Sequence, residues 1–179
     1  MGRPLRWYVR EYDDLGPVRF AAEHRHPFLR LLARPLAEDG SDSGSGRFVT
    51  MRVGKNLESV PDPLELPVYS VRKVEGKNVF AMMITVGRAP NNDIQIDASS
   101  ISKFHAYLEE RDGAWSIRDA NSSNGTFVNE VPVANDASTP LAEGDEVRFA
   151  RAKCRFHTHE GFVELLAREA ERLRQRGTR

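Results

Sequence analysis

Three short polar clusters between residues 87 and 129 contain the side chains whose types could do chemistry. They supply an arginine, a lysine, several hydroxyl groups and several side-chain amides, with glycines where backbone N–H groups can approach a ligand closely. Such a set provides positive charge and hydrogen-bond donors for an anion but no obvious general base, so it favours anion binding over catalysis. The clusters are Gly87–Asp93, Ser99–His105 and Asn121–Gly125.

Several of these side chains could bind such an anion. Arg88 can grip two oxygens at once with its planar guanidinium, Ser102 can donate a hydroxyl proton to a third oxygen, and Lys103 adds a point charge. A side-chain amide both donates and accepts, so Asn124, with Ser123 beside it, can pair with the main chain of a peptide. Alone, Arg88 and Ser102 would more often be a surface charge and a turn hydroxyl, and only the co-occurrence of all these residues indicates a site.

The order and spacing of the clusters resemble the signature of the forkhead-associated (FHA) domain. The matching residues are GR at 87–88, SKFH at 102–105 and SNGTFVN at 123–129. The resemblance covers residues 68–157 and implies a β-sandwich that binds phosphothreonine peptides through the loops at one end. It also implies the phosphopeptide-binding residues, with Ser123 next to the phosphate and Asn124 contacting the residue after the phosphothreonine. The expected set is Arg88, Ser102, Lys103, Ser123 and Asn124.

Other residues of the motif are expected to support these loops. We predict that Gly87 serves backbone geometry, that His105 bridges two loops and that Gly125 forms a turn. The sequence departs from the FHA pattern at Glu130, where many members have glycine. If Glu130 points towards the peptide, it should disfavour acidic residues after the phosphothreonine.

Short runs with strand character surround the clusters and predict a β-sandwich or barrel. The sequences 68–74 and 79–86, separated by a polar turn, predict a hairpin, and Asp112-Gly113 predicts another. The remaining predicted strands include 94–96, 106–108, 115–117, 126–128, 146–150 and 152–158.

The two ends of the chain follow other patterns. The alternation over 5–12 predicts a short strand, and 28–37 predicts one or two helical turns. Phe162, Leu166, Ala170 and Leu173 form the apolar stripe of an amphipathic helix over 160–176. We therefore predict an all-β protein, an FHA-like sandwich of short, mostly antiparallel strands with an N-terminal extension and a C-terminal amphipathic helix. The predicted division is an extension at 1–66 with a Gly/Ser-rich linker at 38–46, the sandwich at 67–158 and the helix at 159–179.

Composition and missing motifs exclude several classes of function. The 26 basic and 26 acidic residues balance, so no overall field draws the chain to nucleic acid or to a membrane. The single cysteine, Cys154, excludes an intramolecular disulfide, and neither a secretory signal nor a membrane-spanning run is evident, which indicates a cytoplasmic protein. P-loop and G-x-S-x-G patterns are missing, and Cys154, His157 and His159 lack a fourth ligand for zinc. We expect no enzyme activity, no metal and no cofactor.

The predicted function is a signalling adaptor that recognises phosphothreonine in partner proteins of a Ser/Thr-kinase pathway. Its partner would be a phosphothreonine-containing protein, either the kinase or one of its substrates. The alternative is a phosphorylation-independent scaffold that binds through the C-terminal helix or the N-terminal arm. Thr50 precedes the predicted sandwich and, if phosphorylated, could occupy the site of its own chain or of a second copy; a buried strand threonine is the competing interpretation.

Overall fold

The computed structural model describes residues 2–33, 61–135 and 137–177, which form twelve strands and three α-helices. The helices are α1 (Leu5–Leu15), α2 (Pro17–Glu23) and α3 (His159–Gly177), and Pro63–Glu65 forms a single 3₁₀ turn. The strands are β1 (Arg3–Pro4), β2 (Phe28–Leu31), β3 (Pro67–Ser70), β4 (Ile84–Gly87), β5 (Ile94–Gln95), β6 (Ala106–Arg111), β7 (Ala114–Asp119), β8 (Thr126–Val128), β9 (Val131–Pro132), β10 (Thr139–Leu141), β11 (Glu146–Phe149) and β12 (Ala152–His157).

The strands form two sheets that share one hydrophobic core. The seven-stranded sheet has the order β1-β3-β2-β12-β11-β8-β9, and the five-stranded sheet has the order β10-β7-β6-β4-β5. Every pairing is antiparallel except that of β4 with β5. Leu108 and Ile117 from the smaller sheet and Phe149 and Phe156 from the larger one are fully buried in the same cluster. The prediction of short, mostly antiparallel strands is confirmed.

The β6–β7 hairpin shows how a local signal fixes one of these pairings. Arg111 pairs with Ala114, and the two residues between them, Asp112 and Gly113, have φ angles of 52° and 77°. Two successive positive φ angles match the twist of the flanking strands, and the Asp-Gly sequence adopts them readily. This predicted hairpin is confirmed.

The three helices form a second layer on the outer face of the seven-stranded sheet. Leu29 of β2 points into the core between the sheets, whereas its neighbour Phe28 points outward into a second buried cluster. There its ring stacks on Phe162 of α3, with the ring centroids 3.9 Å apart. The predicted C-terminal helix is confirmed, but all-β is too narrow a class for a fold with this helical layer. None of the helices in the described ranges has the length and apolar character that crossing a bilayer requires.

The predicted strand over 5–12 is wrong, because these residues begin α1. The buried side chains are Leu5, Tyr8, Val9 and Tyr12, which repeat at intervals of three and four residues and so occupy one face of a helix. Gly16, at φ 75°, ends the helix, and its N–H donates to the carbonyl of Tyr12. The alternation that favoured a strand arose from Trp7, which is only partly buried at the edge of the second cluster.

The predicted helical turns over 28–37 are also wrong for the residues that the structure describes. Residues 28–31 form β2, which lies between β12 and β3 and pairs with both. Its two faces are both covered, so apolar residues lie on both, with Leu29 and Leu31 in the core between the sheets and Phe28 in the second cluster. The run therefore lacks the alternation that marks a half-buried strand. Residues 3–31, assigned from the sequence to an extension, therefore supply β1 and β2 to the larger sheet. Residues 34–37, the predicted linker at 38–46 and Thr50 lie outside the described residues.

The predicted hairpin of 68–74 with 79–86 is wrong, because its two strands belong to different sheets. β3 pairs with β1 and β2 in the larger sheet, whereas β4 pairs with β5 and β6 in the smaller one. The intervening residues 71–83 form no strand and pass from one sheet to the other. Residues 75 and 76 do form a turn in the structure, but β3 and β4 do not pair with each other.

Candidate functional site

The three polar clusters meet at one end of the five-stranded sheet, where β4 and β7 end and β6 begins. Backbone hydrogen bonds join the first two loops, since the N–H of Arg88 donates to the carbonyl of Ser102 at 3.0 Å. The third loop joins them through Ser123, whose N–H donates to Oγ of Ser102 at 3.1 Å, and through Asn124, whose Nδ2 donates to the carbonyl of Ser100 at 2.8 Å. The structure therefore brings the predicted binding residues together.

Gly87 allows two of these loops to lie against each other. A Cβ atom at this position would lie 2.3 Å from the carbonyl oxygen of Lys103, closer than any side chain tolerates. The same carbonyl accepts a hydrogen bond of 2.7 Å from Nδ2 of buried Asn92, which also donates to the carbonyl of Ala89 at 2.9 Å. Gly87 is thus required for the close approach of the two backbones.

His105 is fully buried and bridges the second and third loops. Its Nδ1 accepts a hydrogen bond from the N–H of Ser102 at 3.1 Å, so Nε2 carries the proton and donates to the carbonyl of Gly125 at 3.2 Å. Burial lowers the pKa of the imidazole, which keeps the ring neutral at pH 7 and preserves this donor–acceptor pattern. The side chain acts on loop geometry and is not available to a ligand.

Asp119 organises the third loop, and sequence reasoning missed it. Its carboxylate accepts hydrogen bonds from the N–H of Ser122 at 2.8 Å, from the hydroxyl of Ser122 at 2.7 Å and from the hydroxyl of Thr126 at 2.6 Å. Burial by itself would raise the pKa of Asp119, but these hydrogen bonds outweigh it, and the pKa lies below its ordinary value. The signal in the sequence is an aspartate three residues before a serine, which is typical of a side chain that caps its own turn.

Asp93 has the same role for the first loop. Its side chain is wholly buried, and one carboxylate oxygen lies 3.0 Å from the ammonium of Lys73. The carboxylate also accepts hydrogen bonds from the N–H groups of Thr85 and Val74, both at 2.9 Å, and from Nδ2 of Asn78 at 3.1 Å. Asp93 therefore fixes residues 73–78, which cross between the sheets, to the loop that carries Arg88.

We expect Asp93 to make the fold sensitive to acid. Burial would raise its pKa, but the hydrogen bonds from Thr85, Val74, Asn78 and Lys73 outweigh it and lower the pKa to about 2. Relative to an ordinary aspartate pKa of about 3.9, this contributes roughly 2 kcal/mol of stability above pH 4, which is lost as the pH falls towards 2. Urea unfolding of Asp93→Asn should therefore show less loss of stability between pH 4 and 2 than wild type.

The matched control is Asp97→Asn, four residues along the chain and exposed to solvent. This variant should keep the wild-type slope of stability against pH. Equal slopes for Asp93→Asn and wild type would contradict the assignment of acid sensitivity to Asp93.

The electrostatic character of the site follows from its two cations. Arg88 and Lys103 are exposed, and neither has an acidic partner among the residues that the structure describes. Ser102 is half-buried, and its Oγ accepts a hydrogen bond from the N–H of Ser123. The same hydroxyl donates a long hydrogen bond of 3.5 Å to Oγ of Ser123. Positive charge, two neighbouring hydroxyl groups and fixed loops together suit an anion with several acceptor oxygens.

Glu130 does not belong to this site, so the prediction that it acts on the bound peptide is wrong. Asn124 lies before β8 and Glu130 lies after it, at the opposite end of the strand. The Glu130 carboxylate pairs instead with Lys153 at 2.7 Å and with Arg148 at 3.3 Å. Its φ of 65° follows one of 50° at Asn129, which is the turn geometry that explains why glycine is favoured at this position.

The residues considered for zinc are used structurally. Cys154 lies in the core between the sheets, whereas His157 lies on the opposite face of β12 beside Phe162. Nδ1 of His157 lies 2.7 Å from a carboxylate oxygen of Glu143. Within the described ranges, His, Cys, Asp and Glu side chains form no group of three or more that could hold a metal ion.

Comparison with known proteins agrees with this geometry. The profile of the FHA domain family matches residues 84–150. This segment of the chain resembles an FHA domain. The matched segment runs from the start of β4 to just beyond β11, and so contains all three loops of the site.

Two curated relatives are similar to part of this chain. The oxoglutarate dehydrogenase inhibitor of Corynebacterium diphtheriae is 36% identical over 72 residues, which are 40% of this chain and 48% of that protein. The glycogen accumulation regulator GarA of Mycolicibacterium smegmatis is 38% identical over 74 residues, which are 41% of this chain and 45% of that protein. The similarity thus spans a little under half the length of each relative.

A solved FHA structure is more distantly similar. It comes from a structural and functional analysis of phosphothreonine-dependent FHA domain interactions, and it is 21% identical to this chain. The alignment covers 74% of this chain and 95% of that one, with a TM-score of 0.45.

Proposed function

We propose that this protein is an FHA-type β-sandwich that binds phosphothreonine in partner proteins and regulates them without catalysis. The observation that carries the proposal is the junction of three loops at Ser102. There the hydroxyl of Ser102 and the backbone of Ser123 meet beside the exposed cations Arg88 and Lys103. Phosphothreonine, with about −1.5 to −2 charges and three acceptor oxygens, matches this set of donors.

The strength of binding follows from the number of bonds that the site can make. Each charge-assisted hydrogen bond contributes roughly 1.5–3 kcal/mol, so two or three approach the roughly −8 kcal/mol of a micromolar complex before ordering costs are subtracted. The phosphate alone therefore gives a modest, reversible affinity. The peptide main chain supplies the rest, and we assign that contact to Asn124, whose side chain is exposed and held in place by the carbonyl of Ser100.

The relatives support a regulatory role. Their names describe an inhibitor of one enzyme and a regulator of glycogen accumulation, and neither name describes an enzyme. We propose that this chain likewise acts on other proteins, as an adaptor in a Ser/Thr-kinase pathway whose partner is the kinase or one of its phosphorylated substrates.

Calorimetric titration with matched peptide pools tests the proposal directly. The pools share degenerate flanking residues and differ only in a central phosphothreonine, phosphoserine or unmodified threonine. We expect the phosphothreonine pool to bind with a dissociation constant in the micromolar range, and the unmodified pool at least about 100-fold more weakly, because only the phosphate engages the two cations. Equal binding of the phosphorylated and unmodified pools would refute a phosphate-reading site and favour the phosphorylation-independent scaffold.

A further inference from the structure

An exposed apolar surface borders the proposed phosphothreonine site. Among the residues that the structure describes, six large hydrophobic side chains are exposed. Four of them lie within residues 79–82 and at position 104. Val79 is 92% exposed, Phe80 44%, Met82 78% and Phe104 36%. Single exposed hydrophobics are ordinary on protein surfaces, but clusters of them mark interaction sites.

Three aromatic rings give this surface a defined shape. Phe80 and Phe104 are stacked with their centroids 5.9 Å apart and their planes 12° from parallel. Phe104 is in turn stacked on Tyr107 of β6 at 6.1 Å and 23°. We call Phe80, Phe104 and Tyr107 the aromatic ladder.

The ladder is continuous with the phosphothreonine site. Phe80 and Phe104 line a cleft of about 240 Å³ that also includes Lys103, Ala89 and Asn92. Lys103 is a proposed phosphate-binding residue, and Phe104 follows it directly in the chain. A partner whose phosphate reaches Arg88 and Lys103 therefore also reaches this cleft.

Hydrogen bonds hold the exposed segment in place. Nδ2 of Asn78 donates to Asp93 at 3.1 Å and to the hydroxyl of Thr85 at 3.0 Å, while Oδ1 of Asn78 accepts from the N–H of Phe80 at 3.1 Å. The backbone of Phe80 is therefore tied to the same carboxylate that fixes the Arg88 loop. A surface ordered before binding loses less entropy when a partner packs on it.

We propose that the aromatic ladder is a second contact surface for the phosphorylated partner and selects a large apolar side chain close to the phosphothreonine. This inference rests on the proposed function. The aromatic rings favour an aliphatic or aromatic side chain of the partner, because packing on them removes apolar surface of both molecules from water. Lys103 at the edge of the cleft contacts the phosphate of the same partner and would disfavour a basic side chain there.

Two peptide pools distinguish this selection from phosphate binding itself. Both carry a central phosphothreonine with three degenerate positions on each side; one pool draws these positions from Leu, Ile, Val and Phe, and the other from Ser, Asn, Gln and Gly. For wild type we expect the apolar pool to bind about 10-fold more tightly than the polar pool, in keeping with the burial of one large apolar side chain. The readout is the ratio of the two dissociation constants, measured by fluorescence anisotropy in the full chain.

The test variant is Phe80→Ser, which lies outside the three loops of the phosphothreonine site. It should reduce the ratio to near one while leaving the affinity for the polar pool unchanged. Phe104→Ser is the second variant, and its affinity for the polar pool reports whether the adjacent Lys103 is still in position. The matched control is Val18→Ser, which removes an apolar side chain of α2 that is 84% exposed. This variant should keep the wild-type ratio of the two dissociation constants.

The outcomes separate the two proposals. If wild type binds both pools equally, or if Phe80→Ser keeps the full ratio, the ladder does not select the partner, and phosphothreonine binding stands. If wild type binds neither pool, the proposed function itself fails, and the inference fails with it.

Discussion

An Arg88→Ala variant is expected to lose at least about 100-fold in affinity for a phosphothreonine peptide, because the guanidinium makes two charge-assisted bonds of at least roughly 1.5 kcal/mol each. The side chain is exposed and without an acidic partner among the described residues, so its loss leaves the loops intact. Folding should therefore match wild type. The backbone contact of Arg88 with the carbonyl of Ser102 remains in the variant, since it does not involve the side chain.

Titration calorimetry of wild type, Arg88→Ala and Arg88→Lys with one phosphothreonine pool measures this effect. Arg88→Lys keeps the charge but not the planar fork and should fall between the other two. Arg111→Ala is the matched control, since Arg111 is equally exposed at the far end of the same sheet, in the β6–β7 hairpin. Binding that is indifferent to Arg88 would move the function to another surface and favour the scaffold.

A Phe162→Ala variant should destabilise the whole protein by about 3–5 kcal/mol, the usual cost of truncating a fully buried phenylalanine. The ring is completely buried and lies at the centre of the helical layer. It stacks on Phe28 of the larger sheet at 3.9 Å and meets Tyr8 of α1 edge-on at 5.4 Å. A cavity here would separate α3 from both the sheet and α1.

Urea unfolding followed by circular dichroism tests this prediction. Glu164→Ala, two residues along α3 and exposed, is the control and should change the free energy of unfolding by less than about 0.5 kcal/mol. We expect a single transition in Phe162→Ala at lower urea, because β2 joins the helical cluster to the sheet core through Phe28 and Leu29. A variant that loses only its helical signal while the sheets stay folded would show that the helical layer is independent.

Local signals in the sequence were sufficient to predict the structural features that depend on neighbouring residues. Asp112-Gly113 adopts positive φ angles on its own preference, so the β6–β7 turn was predictable. The apolar stripe of α3 repeats every three to four residues from Phe162 to Leu173, a run too long to be mistaken for a strand. That the three polar loops lie together was predictable for another reason: each loop carries its own recognisable motif, and the motifs occur in a fixed order.

Pairing between distant segments was not predictable, because it depends on what covers each face. α1 was mistaken for a strand, since over eight residues a helical stripe and an alternating pattern share several positions. β2 was mistaken for helix, because a strand buried on both faces has no alternation, and its partners β12 and β3 lie about 40 to 125 residues away. Nor could the sequence show that β3 and β4, thirteen residues apart, belong to different sheets.

The sequence by itself determined the three loop motifs, the β6–β7 turn and the C-terminal helix, because each rests on residues close together in the chain. Only the tertiary structure decided how the loops are held. Asp93 could be read as a loop residue, but its bonds to Lys73 and Asn78 join segments fifteen to twenty residues apart. Likewise, Phe80 becomes a neighbour of Phe104 only after the chain has crossed between the sheets. Contacts of this kind depend on long-range packing, which no local pattern encodes.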